Sequence, residues 1–184
     1  MIVSLTGFMG SGKSSVGAEL ATLLGFEFID LDCYIEEKIG LNIKGIFEMQ
    51  GEEGFRAIEA EALRDVVVMH TLTHKDLVLA LGGGTIAIKG VRHLILEDTT
   101  CIYLEASPET LRERLEGEGA GRPLLDENME SLLKAREEFY REAPISIRTD
   151  DYTIREVAQI AAEKLKKGVY LDDKRVQMGN KRSL

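Results

Sequence analysis

The segment Gly7-Phe8-Met9-Gly10-Ser11-Gly12-Lys13-Ser14 fits G-x-x-x-x-G-K-[ST] and lies between an apolar run, Ile2–Thr6, and a stretch of helical period, Lys13–Leu24. No other feature constrains the chain as strongly, because this pattern carries its mechanism only where a buried strand feeds a helix N-terminus. The glycines let backbone N–H groups turn inward as an anion nest, and the helix end adds partial positive charge. Gly10, Ser11, Gly12, Lys13, Ser14 and Ser15 are therefore the candidates for holding ATP or another nucleoside triphosphate. Lys13 is expected to reach the β- and γ-phosphates, and the Ser14 hydroxyl to ligate Mg²⁺. Gly17, one turn on, is expected to allow close helix packing rather than chemistry.

Beyond this motif, short apolar runs alternate with longer helical segments, the pattern of an α/β domain with a mainly parallel sheet. The strands are expected at Ile2–Thr6, Glu27–Ile29, Leu77–Leu81, Cys101–Leu104 and Ile145–Arg148. Helices are expected at Lys13–Leu24, Cys33–Ile39, Glu52–Met69, Gly90–Leu96, Pro108–Leu115, Glu127–Glu142 and Thr153–Lys167. At 184 residues the chain suits one domain, drawn here as residues 1–167. The stretch Glu116–Pro123 is glycine-rich and polar, the composition of a mobile loop. Residues 168–184 are polar and without period, and are expected to be a disordered basic tail.

The net charge is −9, although the last 22 residues carry +4. A broadly basic surface tracking a nucleic-acid backbone is thereby excluded, so any bound anion must be held locally. Two cysteines, Cys33 and Cys101, cannot build a disulfide framework or a four-ligand zinc site, and they suit a reducing compartment. No secretory signal and no membrane-length apolar run is present, so a cytoplasmic protein with no membrane partner is expected.

Three further clusters bear on what accepts the phosphoryl group. Asp30-Leu31-Asp32 puts two carboxylates on one side of an extended segment at a strand's carboxyl end, where open α/β sheets bind ligands. Phosphoryl transfer needs one carboxylate near the metal and another near the attacking hydroxyl. Asp32 as a helix N-cap with Asp30 solvated is the alternative. In Gly51–Glu59, Arg56 and Glu59 are helical i,i+3 neighbours, by themselves read as a surface ion pair. Leu77–Leu81 runs into Gly82-Gly83-Gly84, which allows close ligand approach to the backbone. The guanine-reading Asn-Lys-x-Asp is absent, which favours a small-molecule kinase over a GTPase.

In this order the motifs resemble those of the shikimate kinases, over nearly all of residues 1–165. The likeness rests on Gly7–Gly17, Asp30–Asp32, Gly51–Glu59, Gly82–Gly84, Arg122–Leu125 and Arg136–Tyr140. It implies a three-layer P-loop fold, a five-stranded parallel sheet flanked by helices with a mobile lid, and transfer of the γ-phosphoryl of ATP to the 3-hydroxyl of shikimate. It also implies that Asp32 binds the shikimate hydroxyls and serves as base, and that Asp30 acts on Mg²⁺. Arg56, Arg136 and the Gly83 backbone would hold the substrate, the arginines pairing its carboxylate, with Glu59 orienting Arg56 or touching the substrate. Substrate-binding helices would span about 32–69 and the lid about 116–125, with Arg122 closing on the transferring phosphoryl. Arg114 resembles the arginine that stacks on adenine, with Arg112 as the alternative. The partners implied are the small molecules ATP and shikimate, and the protein would be a monomer. The chain departs from the common R-x-P-x-Y, having Arg136-Glu137-Glu138-Phe139-Tyr140. Rival readings are a gluconate or nucleoside-monophosphate kinase, or a nucleotide-binding module that has lost catalysis.

Overall fold

The computed structural model describes residues 1–117 and 128–179, with side chains over 1–116 and 129–168. Five strands, β1 (Ile2–Thr6), β2 (Glu27–Asp30), β3 (Leu77–Ala80), β4 (Thr100–Glu105) and β5 (Ile145–Arg148), form one sheet. All neighbouring pairs are parallel, in the order β2-β3-β1-β4-β5. The order reverses direction beside β1, so the loop after β1 opens at a topological switch point, where such sheets bind ligands.

Alternation along the strands sorts the core into two layers. Val3 and Leu5 of β1, Val78 of β3 and Ile102 and Leu104 of β4 pack on α1 (Lys13–Leu24) and α7 (Ile154–Gly179). Their neighbours Ile2, Leu77, Leu79, Cys101 and Tyr103 point to the opposite face. There they meet α2 (Leu31–Ile39), α3 (Ile43–Thr73), α4 (Lys89–Asp98), α5 (Pro108–Gly117) and α6 (Asn128–Tyr140). Gly17 has the packing role expected of it, since a Cβ there would stand 2.6 Å from the Phe28 ring.

The expected elements differ from the observed ones mainly at α2, α3 and α7. The pattern starts the long helix at Glu52, but α3 begins at Ile43 and is broken at Gly51, whose φ of 68° and ψ of −176° interrupt the helical path. Asn42 caps this unforeseen first segment by accepting from Gly45 N at 2.7 Å. The pattern ends the last helix at Lys167, whereas α7 continues to Gly179, helical over 168–179 where irregular chain was expected. Residues 180–184 and most of the expected lid lie outside the described residues. No helix among the described residues is long and apolar enough to cross a membrane.

Candidate active site

The phosphate loop takes its shape from glycine. Gly7, Gly10 and Gly12 have φ of 142°, 78° and 94°, values that residues with a Cβ rarely adopt. Ser11 is buried in the turn, where its N–H donates to Phe8 O at 3.1 Å. No side chain caps the start of α1, whereas Asp30 caps α2 and Asn42 caps α3. A helix leaves its first four N–H groups without intrahelical partners, and the first helical bond of α1 runs from Val16 N to Gly12 O, so the N–H groups before Val16 are the donors such a helix start offers an anion. Lys13 folds over the same loop, its Nζ donating to Phe8 O at 2.9 Å.

Asp30 connects this loop to the acceptor side. Its Oδ1 accepts from Asp32 N at 3.0 Å and Cys33 N at 3.3 Å, while its Oδ2 accepts from the Ser14 hydroxyl at 2.5 Å. The expectation of two carboxylates along one extended segment is therefore corrected. Asp30 ends β2 and is the N-cap, and Asp32 lies inside the first turn of α2. The cap role falls to Asp30 because its carboxylate lies two residues before the first free helical N–H groups, the usual capping reach.

Asp32 is largely buried, and its carboxyl is pushed up to about 6. Burial is the main cause, reinforced by the negative charges of Asp30 and Glu59 and opposed by Lys13. A carboxylate held near neutrality can accept a proton and still be ionised at working pH.

Each glycine of the triplet faces a different part of the site. A Cβ on Gly82 would stand 2.5 Å from Glu59 Oε1 and 3.0 Å from Asp32 Oδ1. On Gly83 it would stand 3.4 Å from the Met9 N of the phosphate loop, and on Gly84 2.7 Å from the Arg56 guanidinium. The turn thus sits where the phosphate loop, the Asp32 carboxylate and Arg56 converge. Arg56 donates from Nη1 to Glu59 Oε2 at 2.5 Å, and a longer ion pair of 3.7 Å joins it to Glu52. The expected surface pair is in fact a buried one, since the Glu59 side chain is only 1% exposed. From α6, Arg136 Nη1 donates to Gly83 O at 3.4 Å, and the buried Tyr140 hydroxyl donates to the same carbonyl.

The structure therefore brings Lys13, Ser14, Asp30, Asp32, Arg56, Glu59, Gly83 and Arg136 together at the carboxyl end of the sheet. Arg114 bridges the phosphate loop and the end of β5, reaching Gly10 O at 3.4 Å, Thr149 Oγ1 at 3.1 Å and Thr149 O at 2.7 Å. Arg112 instead pairs with Glu130 on the surface, which places Arg114 nearer the phosphate loop of the two. Arg122 lies outside the described residues. Two residues at the site were not singled out for a role by the sequence: Thr85, whose hydroxyl meets Glu59, and Tyr140. Tyr140 stood in a recognised motif, four residues after Arg136 and so on the same helical face, which was a usable signal. Thr85 had none.

A sequence model of the family described as shikimate kinase matches residues 9–167. A shikimate kinase of Thermus thermophilus is 45% identical over 169 residues, covering 89% of each chain. Among solved structures, the shikimate kinase of Acinetobacter baumannii in complex with shikimate superposes with a TM-score of 0.81 at 34% identity, covering 91% of this chain and 93% of that one. The enzyme of Bacteroides thetaiotaomicron gives 0.80 at 28% identity, with 90% and 98% covered. With the sheet order, the glycine-shaped phosphate loop and the Asp32–Glu59–Arg56 cluster already in place, these likenesses establish that the chain belongs to the shikimate kinase family.

Proposed function

We propose a residue-by-residue account of ATP-dependent shikimate phosphorylation, the reaction that membership of this family carries. The γ-phosphoryl of ATP passes to the 3-hydroxyl of shikimate, giving shikimate 3-phosphate and ADP, a step towards the aromatic amino acids. One observation carries the assignment of roles. Asp32, raised to about 6, lies against Gly82 beside Glu59 and within the electrostatic reach of Lys13. Acceptor and phosphate machinery thereby adjoin one another at the carboxyl end of the sheet.

In this reading the shikimate carboxylate pairs with Arg56 and Arg136, whose planar forks suit bidentate contact, while the Gly83 backbone lines the ring. Glu59 holds Arg56 in place. Asp32 binds the ring hydroxyls and takes the proton of the attacking one, a role that its position and raised pKa support. Lys13 and the N–H groups of Gly10, Ser11, Gly12, Ser14 and Ser15 hold the phosphates, and Arg114 flanks the adenine. Arg122, which lies outside the described residues, is assigned to offset negative charge on the transferring phosphoryl group.

Kinases of this kind act on ATP with a divalent metal, and we assign that metal as Mg²⁺. The Ser14 hydroxyl and Asp30 Oδ2, 2.5 Å apart, are hard oxygen donors that fit it. No group of three or more His, Cys, Asp or Glu side chains among the described residues could hold a metal. That agrees with Mg²⁺, which keeps waters and phosphate oxygens as most of its ligands. When bound, it neutralises charge on the β- and γ-phosphates. We further propose a monomer acting in the cytoplasm, without nucleic-acid or membrane partners, a reading supported by the net charge of −9 and the free cysteines.

Coupled measurement of ADP release tests the function. Turnover should depend on shikimate and exceed that with gluconate or a nucleoside monophosphate. Folded protein with Mg²⁺ and no shikimate-dependent turnover would overturn the reading.

A further inference from the structure

Thr85 begins the short 3-10 turn Thr85–Ala87 that follows the glycine triplet, and it is fully buried. Its hydroxyl lies within hydrogen-bond reach of two acceptors, Glu59 Oε1 and, at 3.0 Å, Gly82 O. A hydroxyl has one proton to give, and the carboxylate is both the nearer and the stronger acceptor. Gly82 O does not depend on that proton, because Thr85 N already donates to it at 3.2 Å. Glu59 is in the opposite position. Its Oε2 is taken by Arg56 at 2.5 Å, and Thr85 supplies the hydrogen bond that the structure records at Oε1. Burial of Glu59 leaves little room for water to replace it.

We infer that the Thr85 hydroxyl is a positioning group for substrate capture: it fixes the Glu59 carboxylate, which in turn holds the Arg56 guanidinium at the angle from which it meets the shikimate carboxylate. Without it, Glu59 Oε1 lies buried beside Gly82 and close to Asp32, with no donor to hold its charge. The carboxylate is then free to turn, and Arg56 turns with it. The inference rests on the assignment of Arg56 to the substrate carboxylate. It commits Thr85 to shikimate binding rather than to ATP binding, since its partners all belong to the acceptor side.

Three variants test it: Thr85→Val, which keeps the shape and removes the hydroxyl; Thr85→Ser, which restores the hydroxyl; and Arg56→Lys. Thr85→Val is expected to raise the shikimate KM about tenfold, the scale of one hydrogen bond to a charged group, with kcat and the ATP KM changed by less than about threefold. Thr85→Ser should return the shikimate KM to within about twofold of the parent even where its Tm is lower. An unchanged shikimate KM in Thr85→Val, or equal rises in both KM values, overturns the inference, as does a Thr85→Ser protein that behaves like the valine variant. Should Thr85→Val not fold, Thr85→Ala with shikimate binding read by calorimetry gives the same two outcomes. Arg56→Lys separates the levels. If it weakens shikimate binding while Thr85→Val does not, only the Thr85 role fails; if it leaves shikimate binding intact, the assignment of Arg56 fails and the Thr85 role with it.

Discussion

In the proposed assignment the phosphate loop draws its donors from nine consecutive residues, Gly7–Ser15, whereas the acceptor side gathers Asp32, Arg56, Glu59, Gly82–Gly84 and Arg136 from four separate segments. The first is fixed by local backbone conformation, three positive-φ glycines and an uncapped helix start. The second exists only after α2, α3 and α6 have packed on the sheet, and buried hydrogen bonds hold it together. On this assignment, binding a triphosphate is a property of a peptide segment in its strand-turn-helix setting, while choosing shikimate is a property of the tertiary structure. Changes on the two sides should separate cleanly in kinetics.

The largest break is expected on the phosphate side. Lys13→Met should lower kcat by about 10³, the upper range for losing one preorganised charge donor, while calorimetry shows shikimate binding largely kept. On the acceptor side Asp32→Asn should lower kcat by about 10² or more with ATP affinity retained. The same substitution should stabilise the protein. Folded Asp32 keeps its proton up to about pH 6, whereas the unfolded chain releases it near 3.8. Its contribution to stability is therefore present below pH 3.8 and lost as the pH rises through 6. Removing the buried charge should raise stability at pH 7 by up to about 3 kcal/mol, read by denaturant unfolding.

The glycine triplet sharpens the contrast within one turn. Gly82→Ala places a Cβ 2.5 Å from Glu59 Oε1, so something in the buried cluster must shift, and the shikimate KM should rise about tenfold. Gly83→Ala meets its nearest atom at 3.4 Å, a contact that a small adjustment relieves, and should cost less. Equal effects would mean that the turn tolerates no side chain for a reason other than Glu59 and Asp32. The smallest kinetic effect is expected at Gly51, where a φ of 68° disfavours alanine but no atom lies within 4 Å. Because φ of 68° with ψ of −176° is a conformation essentially reserved for glycine, Gly51→Ala should cost about 1–3 kcal/mol of stability yet leave both KM values unchanged.

This division also explains what could be read from the sequence. The phosphate loop was legible because its chemistry and its conformation reside in the same few residues. β1 and β5 fall at the expected bounds, β1 as an apolar run that marks a buried strand and β5 as the alternating Ile145-Ser146-Ile147-Arg148 of a half-exposed edge strand. Asp30 and Asp32 were legible as a pair but not in their roles. Whether a chain leaves a strand at residue 30 or 32 depends on which carboxylate reaches the free helical N–H groups. Glu59 looked like half of a surface ion pair, as i,i+3 spacing says nothing about which helix face is covered. Burial against the glycine turn is a tertiary fact, and so is the Thr85 hydroxyl that meets it. The first segment of α3 was missed although Asn42 offered a cap signal, because Gly51 divides the apolar periodicity.

The pH dependence of kcat/KM for shikimate, followed by ADP release from about pH 5 to about pH 8, tests the role of Asp32 most directly. With Asp32 as proton acceptor, kcat/KM should rise through an acid limb near pH 6, and that limb should vanish from the residual activity of Asp32→Asn. A limb that persists unchanged in Asp32→Asn, at comparable kcat, would contradict the assignment of Asp32 as the base.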